Sequence, residues 1–196
     1  MANTPAKYFI AIVPEGPVQV QATALKDLMK EKFNLKYALK SPSHITLKMP
    51  FSWNENKEGN LGGMLEGFFK TIEPFNIDLN GFDKFGNRVI FINVKKNQYL
   101  TDMQLSLSKF CKTDLKLVEE LSDRAYHAHM TIAFKDIKPK LFDEYWEFIK
   151  TQTLKEKLEV NDIALLKKVE GRWEVVRRFD LGEINWFKSS DLDPTI

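Results

Sequence analysis

Two short segments of the chain read almost alike: His44-Ile45-Thr46-Leu47, and His129-Met130-Thr131-Ile132, which begins 85 positions later. On a β-strand, residues i and i+2 share a face, so each His-x-Thr sets an imidazole beside a hydroxyl and turns the intervening residue to the other side. In the first segment Ile45, Leu47 and Met49 are expected to face a core, and in the second Ala128, Met130, Ile132 and Phe134. Two half-buried strands thus carry titratable chemistry on their polar faces. An imidazole titrates near pH 6.5, so one copy can accept a proton while a second, protonated copy donates one. Two of them facing one cleft form an acid and base pair.

The chain contains three histidines. Chance would put Thr two places after two of them in roughly one such chain in a hundred, which makes ordinary strand histidines the weaker reading. The third, His127, stands two positions before His129 and raises a metal alternative, since His-x-His plus His44 offers three imidazoles. No carboxylate lies close by in the sequence, and a Thr after each motif has no role in such a centre. No metal and no cofactor are expected, and His127 is placed at the pocket rim or as a cap on the strand.

The elements that must carry the motifs repeat in order. Residues 7–13 read as a strand ending at Pro14-Glu15-Gly16-Pro17, and Val18 to Phe33 has apolar residues every three or four positions, as one helix face requires. A loop with Ser41-Pro42-Ser43 leads into the first motif; 60–72 reads as a helix and 75–79 as a strand. The second half follows suit, with a strand at 88–94, a helix at 99–115, the second motif strand at 127–134 and a helix at 140–154. Strands at 162–168 and 172–179, turning at Glu170-Gly171, close the chain. The parallel order argues for duplicated lobes, about 7–80 and 88–180 and not strictly sequential, within one bilobal domain spanning 1–196. In such an arrangement the motif strands meet across a central groove, with His44 and His129 on opposite sides. In-line chemistry at phosphorus needs that placement.

Composition is that of a globular protein, with 43% hydrophobic and 29% charged residues. A net charge of +2 allows a phosphate ligand without implying extended binding to nucleic acid. The single cysteine, Cys111, follows Met103 and Leu107 at helical spacing and is expected on a buried helix face, not as a catalytic thiol. The apolar run near the N-terminus is too short for a signal peptide or a membrane span, so a cytoplasmic setting without membrane association is expected. No obligate protein partner is evident.

The stretches SHITLKMPF (43–51), FGNRVIFINV (85–94) and YHAHMTIAF (126–134) resemble the 2H phosphoesterase superfamily, which includes LigT-like 2′-5′ RNA ligases and RNA 2′,3′-cyclic phosphodiesterases. The likeness runs from about residue 7 to about 180. Many members have Pro before each motif histidine, where this chain has Ser43 and Ala128; that changes local stiffness and leaves the functional groups intact. The resemblance implies an α+β fold of two antiparallel sheets lining a central cleft, with helices outside. It also implies metal-independent hydrolysis of 2′,3′-cyclic phosphates on RNA ends or nucleotides, or of 2′-5′ linkages. His44 and His129 would move the protons, and Thr46 and Thr131 would donate hydrogen bonds to the phosphate.

Around that centre Lys48, Arg124 and Tyr126 are candidate contacts to phosphate or base, His127 to substrate at the rim, and Phe85 to a stacked nucleobase. For each, a solvated charge or a core aromatic is an equal reading. The pairs Lys167-Lys168 and Arg177-Arg178 read first as a solvated face and second as a contact to RNA backbone. Alternatives in activity are a 2′-5′ RNA ligase, an enzyme that degrades cyclic oligonucleotides, and a non-catalytic RNA- or nucleotide-binding module.

Overall fold

The structure, a computed structural model, describes residues 4–118, 121 and 125–182. Arg124, one of the candidate contacts, lies outside them. The strands are β1 (Pro5–Ile12), β2 (Ile45–Asn54), β3 (Phe75–Phe85), β4 (Val89–Val94), β5 (His129–Ala133), β6 (Lys155–Val160), β7 (Asp162–Val169) and β8 (Arg172–Asp180). The helices are α1 (Gly16–Phe33), α2 (Glu58–Phe69), α3 (Gln98–Thr113) and α4 (Phe142–Lys150).

α1 shows why these segments fold as they do. Val18, Ala22, Leu25 and Met29 recur on one face and are buried, while Pro17 starts the helix where a missing N–H costs nothing. Asn34 stops it in the left-handed conformation, φ 57°, and its N–H donates to the Lys30 carbonyl. α3 repeats the pattern, with the side chain of Asn97 capping its first turn and Leu100, Met103, Leu107 and Cys111 buried. Each large apolar side chain so buried contributes roughly 1.5–3 kcal/mol relative to exposure.

All strand pairs are antiparallel, in the order β6-β3-β4-β5-β2-β1-β7-β8. Read outward from the centre, the two halves match: a motif strand, the strand before its helix, then two more. The β1-α1-β2 unit therefore corresponds to β4-α3-β5. Where two sheets were expected, the halves join into one sheet through a single bridging pair, Ile45 opposite Met130. The halves also interleave more than the sequence ranges suggest. β3, from the first range, pairs with β4 and β6 in the second half, whereas β7 and β8 extend the first half beside β1. A short turn at 86–88 makes β3 and β4 natural antiparallel neighbours, and chain order yields to that local pairing. α1 packs on β5 and α3 on β2, so each helix covers the opposite half.

The helix side of the sheet holds the main core, with Ile10, Ile12, Ile45, Leu47, Ile92, Met130 and Ile132 under the four helices. A second, smaller cluster of Phe9, Ala11, Val13, Ala164 and Leu166, with Trp173 packed against it, lies on alternate positions of β1 and β7. From Tyr8 onward β1 is thus buried on both faces, which is why residues 8–12 read as an unbroken apolar run. The helix expected over 140–154 ends at Lys150, and 155–160 forms the edge strand β6. Only Leu158 and Val160 of that strand are buried, so its alternation is faint in a sequence dominated by Lys and Glu.

Candidate active site

The bridging pair fixes the geometry of both motifs. With Ile45 opposite Met130 on antiparallel strands, His44 falls opposite Thr131 and Thr46 opposite His129. Ile45 and Met130 are fully buried under the helices, so the two histidines and two threonines share the other face of the sheet. The result is a diagonal arrangement in which each imidazole stands beside the hydroxyl of the other motif.

Both motif strands bulge at equivalent points. Along β1 and β2 the pairs step from Ile10–Lys48 to Ala11–Thr46, leaving Leu47 as an extra residue; along β4 and β5 they step from Ile90–Ala133 to Phe91–Thr131, leaving Ile132 as an extra residue. Each bulge immediately follows the motif threonine. An extra residue there bends the strand and aims the His-x-Thr face inward.

The imidazoles are held alike. His44 Nδ1 lies 2.8 Å from the Pro42 carbonyl oxygen, and His129 Nδ1 lies 2.7 Å from that of His127. A carbonyl only accepts, so each Nδ1 carries the proton and donates. Nε2 is then the working nitrogen on both rings, a base when neutral and an acid when protonated.

Aromatic rings wall the pair. Phe9 lies 4.9 Å from the His44 ring, and Phe85 and Phe91 lie 4.9 and 5.1 Å from the His129 ring. Such surroundings disfavour a cation. Burial pulls His44 from 6.5 to about 4 against the opposing pull of its Pro42 hydrogen bond, with Lys26 and His129 acting in the same direction as burial. Burial lowers His129 as well, with a further push from His127 and opposition from its own carbonyl bond.

Beside this pair is a cavity of about 140 Å³ lined by Thr46, Met49, Phe85, Tyr126, His127 and His129, among others. His127 is exposed and lines it, and Phe85, 38% exposed, forms its outer wall. The hydroxyl of Tyr126 is buried and has no hydrogen-bond partner among the described residues, and burial raises its pKa. A buried phenol lacking a partner beside a cavity is a donor for a ligand. Lys48 departs from the expected solvated charge: it is 2% exposed and donates to the Val118 carbonyl at 3.0 Å, tying the segment after α3 to the site strand.

Met49 is a lining residue that alternation misassigned to the core. Between Tyr8–Phe51 and Ile10–Lys48 the register slips by one, next to Pro50, and Met49 turns out to 37% exposure at the cavity. The proline was the available signal, because it donates no ladder hydrogen bond and marks irregular pairing.

The basic pairs on the closing strands are structural for the most part. Lys167 pairs with Glu55 and Glu58, Arg177 with Glu66, and Arg178 with Glu15 and Asp162. These ion pairs consume three of the four charges that were candidates for contact with RNA backbone, Lys168 being the fourth. No group of three or more His, Cys, Asp or Glu is placed to share an ion among the described residues. No helix among them is long and apolar enough to cross a membrane.

Known proteins share this architecture. The Oceanobacillus iheyensis protein named "Putative phosphoesterase OB1230" is 28% identical over 181 residues, covering 90% of this chain and 98% of its own. The RNA 2′,3′-cyclic phosphodiesterase of Bacillus subtilis is 30% identical over 133 residues, 65% of this chain and 70% of its own. Among solved structures, E. coli LigT complexed with 3′-AMP superposes with a TM-score of 0.65 at 17% identity, covering 92% of this chain and all of that one. The profile of the 2′-5′ RNA ligase superfamily matches residues 14–172, a span holding both motifs, both bulges and the whole cavity lining, and the chain belongs to that superfamily, the 2H phosphoesterases.

Proposed function

We propose that the protein is a metal-independent phosphodiesterase that opens 2′,3′-cyclic phosphates on RNA ends or nucleotides, with His44 as general base and His129 as general acid. The observation that supports this reading is the diagonal pair of imidazoles, each with Nδ1 spent on a carbonyl, which leaves Nε2 of each ring as the nitrogen able to move a proton. His44, the ring pushed down to about 4, is neutral at pH 7 and suited to accept a proton.

In the reaction, His44 Nε2 takes a proton from water as the water oxygen bonds to phosphorus. The bond from phosphorus to one ribose oxygen breaks, and that oxygen takes the proton from His129 Nε2. Thr46 and Thr131 donate to the non-bridging oxygens, where negative charge grows. Exchange with solvent then restores both histidines. The names and ligands of the relatives, a 2′,3′-cyclic phosphodiesterase and a LigT bound to 3′-AMP, fit a nucleotide in this place.

The test is an assay of purified protein, with EDTA present, on 2′,3′-cyclic AMP and on a short RNA ending in a 2′,3′-cyclic phosphate. Ring opening of either is expected, and the 2′- or 3′-phosphate product identifies the bond broken. Binding without turnover would instead mark a non-catalytic nucleotide-binding module.

The pH dependence follows from the same groups. kcat/KM reports the free enzyme, in which His44 must be neutral and His129 protonated. The acid limb then falls near pH 4, where His44 titrates, and the alkaline limb falls below the ordinary 6.5 because His129 is lowered. An optimum on the acid side of 6.5 is expected in kcat/KM on the cyclic mononucleotide. The kcat profile lies further to the alkaline side, since a bound phosphate anion favours both imidazolium forms. A kcat/KM optimum above pH 7 would contradict the assignment.

A further inference from the structure

The loop that precedes the first motif is held by a side chain of α1. Gln19 donates from Nε2 to the Ser43 carbonyl and to the Pro14 carbonyl, both at 3.0 Å, and its Oε1 accepts from the Ser43 N–H at 2.8 Å. The Thr23 hydroxyl, one turn further along the helix, donates to the same Oε1 at 3.2 Å. A carboxamide has two N–H donors and two acceptor lone pairs, and here every one of them is matched. Turned over, the amide would set its NH₂ group against the Ser43 N–H and its oxygen against two carbonyls. Only one orientation of Gln19 therefore fits.

Ser43 stands between Pro42 and His44 and is fully buried. Its N–H belongs to the same planar peptide unit as the Pro42 carbonyl, and in a trans peptide the two point in opposite directions. Gln19 on the N–H side thus fixes the direction of the carbonyl on the other side, and that carbonyl accepts from His44 Nδ1 at 2.8 Å. A hydrogen-bonded chain runs from Thr23 through Gln19 and one peptide unit to the imidazole, and each bond in such a chain strengthens the next. Lys26, two helical turns after Gln19, anchors the preceding peptide by donating to the Ser41 carbonyl at 3.2 Å. The Ser43 side chain takes no part, its buried hydroxyl having no hydrogen-bond partner among the described residues. The second motif differs. His129 Nδ1 faces the His127 carbonyl, but among the described residues no side chain holds the Ala128 N–H on the far side of that peptide.

We propose that Gln19 is a positioning residue for the base: by holding both main-chain groups of Ser43 it aims the Pro42 carbonyl at His44 Nδ1, which keeps the ring proton there and leaves Nε2 free to accept one. The inference rests on the phosphodiesterase reading above and adds to it a residue outside both motifs. A neutral imidazole carries its proton on either nitrogen, and the hydrogen bond made by one decides which. Without the clamp the carbonyl turns from its place, the ring populates the tautomer with Nε2 protonated, and that form cannot act as a base. The loss falls on kcat and not on KM, because the threonines that hold the phosphate are untouched.

The experiment compares wild type with Gln19→Met, which keeps the length and removes the hydrogen bonds, with Gln19→Asn, which keeps the amide but falls one methylene short of Ser43, and with Ser43→Ala. kcat and KM are measured on 2′,3′-cyclic AMP, and proton–nitrogen NMR spectra of the labelled imidazoles report the tautomer of His44 at neutral pH, where the ring is uncharged. Both Gln19 variants are expected to lower kcat about tenfold, the worth of one or two hydrogen bonds, with KM within about twofold of wild type. Their spectra show His44 moving toward the tautomer protonated on Nε2, while His129 keeps its own. Ser43→Ala preserves the main-chain clamp and matches wild type in rate and spectrum. Gln19 is half-buried on a helix, and Gln19→Asn keeps the test open if Gln19→Met folds poorly. Wild-type kcat in both Gln19 variants, or a lowered kcat with the His44 tautomer unchanged, overturns the inference while the phosphodiesterase reading stands. Absence of turnover by wild type removes that reading, and the spectra, which need no substrate, then decide on the clamp alone: a changed tautomer upholds it and an unchanged one overturns it.

Discussion

Replacing either His44 or His129 by Ala is expected to lower turnover of a 2′,3′-cyclic phosphate by roughly 10²- to 10⁴-fold, the usual contribution of one general acid or base. The loss falls on kcat more than KM, because neither ring is needed to hold the phosphate while the threonines remain. The double variant is expected to lose far less than the product of the two single losses. With the base gone, the acid has no concerted partner left to assist, and groups acting as a unit are not additive. His44→Ala also removes the hydrogen bond to Pro42, so a thermal melt should accompany the kinetics. An unchanged melt with a large loss in kcat assigns the effect to chemistry. Full activity in either single variant would remove that residue from the mechanism.

Much of this centre was legible in the sequence because β-strands have a period of two. His-x-Thr followed by an apolar residue states a strand, a polar face and a buried face at once, and both motifs obey it. Helices α1 and α3 were legible for the matching reason, with apolar residues at three- and four-residue spacing and clear stops. What the sequence withheld depends on partners in space. The single bridge at Ile45 and Met130 joins two half-sheets, and no local pattern encodes which strands meet there. The exchange of β3 and of β7 and β8 between the halves is likewise a matter of pairing. Met49 was misplaced because one slipped register inverts a face, and Lys48 because a charged residue on a site strand reads as solvated until its carbonyl partner is seen.

The second large effect concerns Thr46 and Thr131, and it bears directly on whether a metal takes part. If the two hydroxyls hold the non-bridging oxygens, Thr46→Val and Thr131→Val should each cost roughly tenfold or more in kcat, and the pair together roughly 10²- to 10³-fold, the scale of losing one strong oxyanion donor. Valine keeps the β-branched shape and strand preference, so the change removes a hydrogen bond with little change in packing volume. Serine at the same positions restores the hydroxyl and should recover most of the rate. Because Thr46 stands opposite His129 and Thr131 opposite His44, each valine variant also leaves one imidazole without its polar neighbour. That should move the two pH limbs differently: Thr131→Val chiefly shifts the acid limb set by His44, and Thr46→Val the alkaline limb set by His129. A metal ion bearing the phosphate charge would give the opposite pattern, in which the valine variants stay active and a chelator abolishes turnover. Steady-state kinetics of the four valine and serine variants across pH, with and without EDTA, separates the two.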